Sequence, residues 1–325
     1  LEYTGGDGIH IDNTAGTGNV TLTNVSVTYG YADGIQINTR GAVLLNGVNS
    51  SRNFNNAGGY GATITTQKGL TVKNSVFDSN DFSGLYLSDA SLGAVTLDNV
   101  YAQSNSLSGI ELNTRGGAVK LNNVKTYQNN QGGVFIDTCL AGLGPICTTT
   151  ITSPVTVTNS SMAINWANNL EVYANGAITL VDITASSSTI NNGIWVENHI
   201  ARSAAAVTIT RAQATNNDGD NIVILSRGTV TLDAIQATNS DNYNGLWVDN
   251  TYGTGTVSLL SKSGKNDLSG NDGYSLYIKS KGGVTIGWVD AGSSGNGASI
   301  STNGAVTITG KSTDERSEFG SNDSN

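Results

Sequence analysis

Three carboxylic acids, Asp137, Glu171 and Glu197, lie in consecutive copies of a short repeated phrase of the sequence. Paired carboxyl groups hydrolyse glycosidic bonds, at a separation of about 5 Å in retaining enzymes and about 6.5–9.5 Å in inverting ones. Neighbouring strands lie about 4.8 Å apart. Consecutive copies stacked as strands would therefore give the retaining distance, and alternate copies would come close to the inverting one. These three residues are the candidates for a polysaccharide-cleaving activity.

Aromatic side chains accompany the carboxylates in the same copies of the phrase. Flat rings stack on the apolar faces of sugars while a few polar groups fix the ligand's orientation, so the mixture favours an extended glycan-binding groove. The alternative is that aromatic residues simply suit the exposed face of a sheet. The predicted ligand-binding residues are Tyr86, Phe135, Tyr173, Trp195, Trp247, Asp249 and Tyr277.

The two cysteines of the chain, Cys139 and Cys147, lie close together in one predicted loop. A cysteine pair that closes a short loop favours a disulfide bond formed in an oxidising compartment. Two free thiols are the alternative.

A turn containing Asp218 and Asp220 is the weaker candidate for a metal site. Calcium takes about six to eight oxygen ligands, and two carboxylates in one turn are too few to indicate a site. We therefore expect no cofactor, with calcium at this turn as the alternative.

The repeated phrase is a glycine followed by an apolar, a variable and an apolar residue. Its clear copies begin at Gly8, Gly34, Gly84, Gly109, Gly133, Gly193 and Gly245, and degenerate copies begin at Gly61, Asn169, Asn221, Ser275 and Gly297. The spacing is typically about 24 residues, as in a solenoid repeat. Each copy is followed by two further short segments, for example 95–97 and 100–102, and all three alternate with a period of two. The sequence therefore predicts three strands per repeat.

A single coil of three strands leaves its apolar side exposed, whereas stacked coils share a continuous core. We predict an all-β protein, a single-stranded right-handed parallel β-helix (solenoid) of about twelve coils. The predicted aliphatic column of the first strands is Ile9, Ile35, Leu85, Ile110, Val134, Leu170, Ile194, Ile222, Leu246 and Leu276. A column of small residues is predicted in the third strands at Ala102, Ala185, Ala214, Ala237 and Ala291.

An asparagine precedes the first strand by a few residues in many coils. Turn asparagines tolerate left-handed dihedral angles, and stacked amides form hydrogen bonds from one layer to the next. The residues concerned are Asn80, Asn105, Asn129, Asn165, Asn217 and Asn271.

The repeat predicts one continuous β-helix domain over residues 1–325, with an inserted loop at 138–153 that holds the cysteine pair and a polar C-terminal tail at 311–325. Both ends of a β-helix expose unpaired strand edges. We expect the chain to be a segment of a longer protein, and end-to-end pairing of copies into a fibre is the alternative.

Composition restricts the partners and the location. Charged residues make up only 13% of the chain and the formal net charge is −9, so binding to nucleic acid phosphates is not expected. No apolar run reaches the roughly 18 residues of a transmembrane helix. Together with the cysteine pair, these features predict an extracellular or cell-surface location.

The repeated phrase and its three strands resemble the pectin-lyase-like family of right-handed parallel β-helix proteins. That family includes pectate lyases, polygalacturonases, phage tailspikes and bacterial surface proteins, so the resemblance implies a fold and leaves the activity open. The motifs typical of its polygalacturonases (Asn-Thr-Asp, Asp-Asp, Gly-His-Gly and Arg-Ile-Lys) do not occur in this sequence.

The leading functional hypothesis is a non-catalytic extracellular rod, an adhesin, stalk or matrix component, that holds polysaccharide on its first-strand face. The second is a polysaccharide-degrading glycoside hydrolase or lyase that uses the three carboxylates. The third is a structural fibre assembled by end-to-end stacking of coils.

Overall fold

The computed structural model describes residues 5–54, 58–88, 93–139, 147, 151–201, 204–292, 295–311 and 316–319. Within these ranges the regular secondary structure consists of parallel β-strands. Every turn of the chain contributes one strand to a first sheet and one or two to a second. The predicted parallel β-helix of three-strand coils is confirmed.

The first sheet contains twelve strands, one from each coil, and we number the coils 1 to 12 by these strands. They are β1 (Ile9–Asn13), β4 (Ile35–Thr39), β7 (Ala62–Thr66), β9 (Leu85–Leu87), β11 (Ile110–Asn113), β13 (Val134–Asp137), β15 (Leu170–Tyr173), β17 (Ile194–Glu197), β19 (Ile222–Leu225), β22 (Leu246–Asn250), β25 (Tyr274–Ser280) and β28 (Asn296–Thr302).

The second and third strands of several coils merge into one long strand. The long strands are β8 (Leu70–Val76), β10 (Val95–Gln103), β12 (Val119–Tyr127), β14 (Val155–Ala163), β16 (Ile178–Ser186) and β18 (Val207–Thr215). The separate ones are β2 (Val20–Thr23), β3 (Ser26–Thr28), β5 (Val43–Asn46), β6 (Asn49–Ser51), β20 (Val230–Asp233), β21 (Gln236–Thr238), β23 (Val257–Leu260), β24 (Asn266–Asp267), β26 (Val284–Ile286), β27 (Val289–Asp290) and β29 (Val306–Ile308).

A single residue in the left-handed region bends each long strand between its second and third segments. It is most often asparagine, as at Asn99 (φ 56°) and Asn123 (φ 50°), because asparagine tolerates this conformation better than most residues. One residue is enough to turn the corner, so the backbone pairing continues through it.

The core is a stack of in-register apolar side chains. Ile110 pairs with Leu85 on one side and Val134 on the other, and the predicted aliphatic column continues in this way from Ile9 to Leu276. Ala62 completes the column in coil 3, and Ala298 continues it in coil 12, where it is exposed. Because each coil repeats the same inward positions, the rod has one continuous hydrophobic core.

The third-strand column is less uniform than predicted. Phe77 is fully buried and lies in register between Ser50 and Ala102, and Met162 lies between Thr126 and Ala185. At these two places a large side chain lies beside small ones, as close packing across neighbouring layers requires. Ala214 and Ala237 lie next to each other in the column, as predicted.

Buried asparagines form a ladder of side-chain hydrogen bonds along the corner that leads into the first strands. Each Nδ2 donates to the Oδ1 of the next amide at 2.7–3.2 Å. In order, the members are Asn53, Asn80, Asn105, Asn129, Asn165, Asn169, Asn217, Asn221 and Asn271. The predicted stacking of amides is confirmed.

The left-handed conformation belongs to the residue before each of the six predicted asparagines and not to the asparagine itself. Ser104 (φ 54°) precedes Asn105 and Gln128 (φ 53°) precedes Asn129. The prediction was wrong on this point because the amides are held by the ladder, which requires the asparagine side chains to face inwards.

Residues 316–319, which the sequence predicts as part of a polar tail, instead extend the third-strand row. Glu318 pairs in parallel with Asp290, and Phe319 packs against the core. The other residues of 312–325 lie outside the described ranges. In the part of the chain that the structure describes, there is no helix with the length and hydropathy needed to span a membrane.

Candidate functional site

The outer face of the first sheet carries two columns of side chains, and the strand register defines both. The first column, from coil 4 to coil 11, is Tyr86, Glu111, Phe135, Glu171, Trp195, Val223, Trp247 and Tyr277. The second, from coil 5 to coil 11, is Asn113, Asp137, Tyr173, Glu197, Leu225, Asp249 and Lys279. Most predicted site residues thus lie on one continuous face.

Two glutamates flank an aromatic ring in coils 5 to 7. Glu111, Phe135 and Glu171 are adjacent in register and line a concavity of about 420 Å³ together with Gln131 and Ala167. The Phe135 ring is partly exposed in this concavity. The ring offers a ligand an apolar surface, and the carboxylates on either side of it offer hydrogen-bond acceptors.

The amides beside these glutamates hold their side chains in place. Asn168 Nδ2 donates to Glu171 Oε2 at 2.9 Å, and Asn113 Nδ2 donates to Glu111 Oε1 at 3.3 Å. Burial raises the pKa of Glu111 above its usual value. Glu111 was not among the candidate residues predicted from the sequence, although its outward place in the repeated phrase was the signal that marked it.

A second concavity, of about 310 Å³, lies on the same face in coils 10 and 11. Trp247, Tyr274 and Tyr277 form its aromatic lining, with the Trp247 and Tyr277 ring centres 6.3 Å apart. Lys279 Nζ lies 5.3 Å from the centre of the Tyr277 ring, a cation–π distance.

Tyr173 lies close to the carboxylates of Glu171, Glu197 and Asp137. Burial is the largest cause that raises the pKa of the Tyr173 hydroxyl, and its hydrogen bond and proximity to Glu171 raise it further. Burial also raises the pKa of Glu197, while the hydrogen bond from Trp195 Nε1, at 3.3 Å, opposes that rise. Glu171 and Asp137 add like charge near Glu197 and raise the pKa again.

The first cleavage candidate, Asp137, is buried, with only 4% of its surface exposed. Its Oδ1 accepts a hydrogen bond from the backbone N–H of Cys139 at 2.7 Å. Asp137 occupies its outward place in the second column by register, but its burial leaves little of its surface open to a ligand. Asp137 and Glu197 lie two coils apart with Tyr173 between them, and Glu171 lies in the other column.

A small apolar cluster forms a wall beside Tyr173. Cys139 and Cys147 are joined in a disulfide bond and are buried together with Ile200 and Ala201. The rest of the predicted inserted loop, 140–146 and 148–150, lies outside the described residues.

His199 lies above the second column. Its ring stacks on Tyr252 at 4.1 Å between centres, and its Nδ1 lies 3.3 Å from Glu197 Oε1. Burial, followed by the nearby Arg227 charge, lowers the pKa of His199 below its usual value.

Asp249, a predicted ligand-binding residue, forms local hydrogen bonds. Its Oδ1 accepts hydrogen bonds from the N–H and the hydroxyl of Thr251 at 2.9 and 2.7 Å. Asp12 forms the same pair with Thr14 in coil 1. This repetition indicates a turn-forming role.

Asp220 of the predicted calcium turn is hydrogen-bonded within the fold. Asp220 is buried and its Oδ1 accepts hydrogen bonds from the N–H and Nδ2 of Asn244. No group of three or more His, Cys, Asp or Glu side chains suited to a metal ion occurs among the described residues. Calcium at Asp218 and Asp220 stays a prediction.

Sequence reasoning missed two aromatic residues beside Tyr86. Tyr60 stacks on Tyr86 at 5.2 Å between ring centres and contacts the edge of Phe82 at 4.9 Å. Both lie in the corner before a first strand, outside the repeated phrase, so no periodic signal marked them.

Comparison with known proteins agrees with this architecture. No curated protein matches the chain. The model of the right-handed β-helix region matches residues 7–175, just over half of the chain. It confirms the predicted handedness and, at the level of fold, the resemblance to pectin-lyase-like repeats. The chain therefore belongs to the family of proteins with a right-handed β-helix region.

Proposed function

We propose that this protein is a non-catalytic rod, located outside the cell or on its surface, that binds polysaccharide along the outer face of its first sheet. The observation that carries the proposal is the column of partly exposed aromatic side chains, Tyr86, Phe135, Trp195, Trp247 and Tyr277, on one continuous face. The two concavities supported by these rings give an extended ligand several points of contact.

The polar groups beside the rings suit the same ligand. Glu111, Glu171 and Glu197 provide carboxylate oxygens, and Asn168 and Asn113 hold two of these side chains. Sugar hydroxyls donate to carboxylates in charge-assisted hydrogen bonds, which are stronger than neutral ones. The disulfide between Cys139 and Cys147 supports a location in an oxidising compartment.

Replacing Trp195 and Trp247 together by alanine is expected to weaken glycan binding about 10- to 100-fold. Each ring contributes about 1 kcal/mol of stacking beyond its buried area, and about 1.4 kcal/mol corresponds to a tenfold change in affinity. The measurement is a glycan-array screen followed by titration of the glycans that bind.

The matched control is Trp166→Ala, because Trp166 is 50% exposed but precedes β15 and lies outside the first-sheet columns. Circular dichroism of each variant checks that the β-helix is retained. Equal losses in the control and the double variant, or no loss in the double variant, would refute the proposed face.

A polysaccharide-degrading activity is the second candidate. The observation that favours it is the placement of Glu111 and Glu171 on alternate coils on either side of Phe135. Their backbones lie about 10 Å apart, close to the separation of carboxyls in inverting glycosidases. The alternative pair from the sequence, Glu171 with Glu197, lies on neighbouring coils.

If the protein cleaves its ligand, Glu171→Gln is expected to reduce turnover at least 100-fold while binding persists, since general acid–base groups contribute about 10²- to 10⁴-fold. The measurement is the release of new reducing ends from each glycan that binds. The proposed non-catalytic rod predicts no release by the unmodified protein.

The third hypothesis, end-to-end assembly into a fibre, stays a prediction. Growth in particle length with protein concentration would support it.

A further inference from the structure

Four of the five aromatic residues of the first column recur on every second coil, and the fifth, Tyr277, lies next to Trp247 in coil 11. Tyr86, Phe135, Trp195 and Trp247 belong to coils 4, 6, 8 and 10. The coils between them contribute Glu111, Glu171 and Val223 at the same position. A face that merely tolerates aromatic residues would not require this alternation.

The alternation sets a repeat length. Adjacent parallel strands lie about 4.8 Å apart, so the four rings follow one another at about 10 Å and span about 29 Å. A ligand that uses every ring must present the same apolar surface at that interval. In an extended β-1,4-linked glycan, successive sugars are turned by about half a revolution, so each disaccharide presents the same face once. Its length is close to the interval between the rings.

The same stretch restricts the charge of the ligand. Glu111 and Glu171 occupy the positions between the rings, and Glu197 lies in the neighbouring column. A polyuronate would bring a carboxylate on every sugar towards these side chains. Like charges repel most strongly where burial lowers the effective dielectric constant, and Glu111 and Glu197 are both partly buried.

We infer that the ligand is an uncharged, extended β-1,4-linked glycan that places one disaccharide on each of the four aromatic platforms. This inference rests on the proposed glycan-binding function and specifies its ligand. It predicts discrimination against two other classes: α-1,4-linked glycans, whose chains curl away from a straight row of rings, and polyuronates, which the glutamates repel.

The test is calorimetric titration of the intact protein with oligosaccharides of defined length. The probes are cellohexaose and chitohexaose as uncharged β-1,4-linked chains and maltohexaose as the α-linked control made of the same sugar as cellohexaose. Hexagalacturonate is the charged control; it is also α-1,4-linked, so the effect of charge is read from its comparison with maltohexaose. We expect one or both β-linked hexamers to bind at least tenfold more tightly than maltohexaose and hexagalacturonate. Within the series that binds, affinity should rise about fivefold for each added disaccharide, which corresponds to about 1 kcal/mol per platform.

Two variants assign the discrimination to the named residues. Phe135→Ala removes one of the four rings. One of the roughly fivefold increases in affinity per added disaccharide should therefore be lost in this variant. Glu111→Gln combined with Glu171→Gln should raise the affinity for hexagalacturonate at least fivefold, because it removes the charges between the platforms.

The outcomes separate the inference from the proposed function. The inference would be overturned if maltohexaose or hexagalacturonate bound as tightly as both β-linked hexamers. It would also be overturned if only other glycans bound. In both cases the proposed glycan binding would stand. Absence of binding to any oligosaccharide or arrayed polysaccharide would overturn both.

Discussion

Asn169→Gly is expected to lower the free energy of unfolding by about 4 kcal/mol, and adding Ser188→Asn is expected to restore at least half of the loss. Asn169 accepts a hydrogen bond from Asn165 Nδ2 at 2.7 Å and donates to Ser186 O and Asn217 Oδ1 at 2.9 and 3.2 Å. Its removal leaves the buried Asn165 Nδ2 without an acceptor, at about 1–3 kcal/mol. Ser186 O and Asn217 Oδ1 each lose one hydrogen bond, at about 0.5–1.5 kcal/mol apiece, and keep those from the N–H groups of Ile164 and Ser188.

The expected rescue follows from a rule visible along the ladder. Most coils have a glycine before the first strand, and an asparagine in the next corner lies against it. A Cβ added at Gly133 or Gly193 would lie 2.7 or 2.6 Å from the amide nitrogen of that asparagine. In one layer the corner residue is Ser188, which has no amide. There the residue before first strand β15 is Asn169 instead of glycine, and the Asn169 side chain forms the hydrogen bonds that the corner asparagine forms in other layers.

The same exchange occurs a second time in the chain. Ser240 is the corner residue before β22. In that layer Asn221, which precedes β19, continues the ladder: its Oδ1 accepts a hydrogen bond from Asn217 and its Nδ2 donates one to Asn271. In both cases the asparagine has moved from the corner to the residue before the first strand. This indicates that each layer requires one amide and that either of these two positions can supply it.

The measurement is the urea unfolding midpoint of Asn169→Gly, Ser188→Asn and the double variant. Ser188→Asn alone should also destabilise the protein, because Asn169 already occupies the rung. Asn130→Ala serves as the control, since Asn130 is exposed beside the ladder and its loss should change stability by less than about 0.5 kcal/mol. A double variant as unstable as Asn169→Gly would contradict the rule.

The ladder also positions the candidate site. Asn169 directly precedes β15, which carries Glu171, and its neighbour Asn168 holds the Glu171 carboxylate. Loss of the rung should therefore weaken glycan binding at the Phe135 concavity more than at the Trp247 concavity.

Phe77→Ala is expected to lower the free energy of unfolding by about 4 kcal/mol, within the range of about 3–5 kcal/mol for such truncations of buried phenylalanine. Phe77 is fully buried in the third-strand column between Ser50 and Ala102. Both neighbours are small, so they leave the cavity open instead of filling it. The strands above and below are held by backbone pairing and resist collapse.

The matched control is Phe54→Ala, because Phe54 is 44% exposed and its truncation should change stability by less than about 1 kcal/mol. Thermal and urea unfolding of the two variants, monitored by circular dichroism, measure the difference. Phe77→Leu should lose less than Phe77→Ala because more of the volume is kept. Similar stabilities for Phe77→Ala and Phe54→Ala would contradict the packing argument.

The sequence alone determined the parallel β-helix and most of its columns. Coils stack in register, so a residue's place in the repeated phrase sets its column: Ile110 lies beneath Val134, and Glu111 beneath Phe135. The period of two then separates core from surface. A residue's position in the repeat therefore predicts its position in the fold, because every coil packs against neighbouring coils of the same kind.

The tertiary structure decided what happens at the corners, where the repeat is broken. It buried Asp137, whose carboxylate accepts a hydrogen bond from the N–H of Cys139, and it stacked Tyr60 on Tyr86. It also brought the Asn169 amide into the ladder in the layer where Ser188 occupies the corner. Corners differ in length and conformation from coil to coil, so their contacts follow no period. They depend on side-chain packing between residues whose proximity exists only after the coils have stacked.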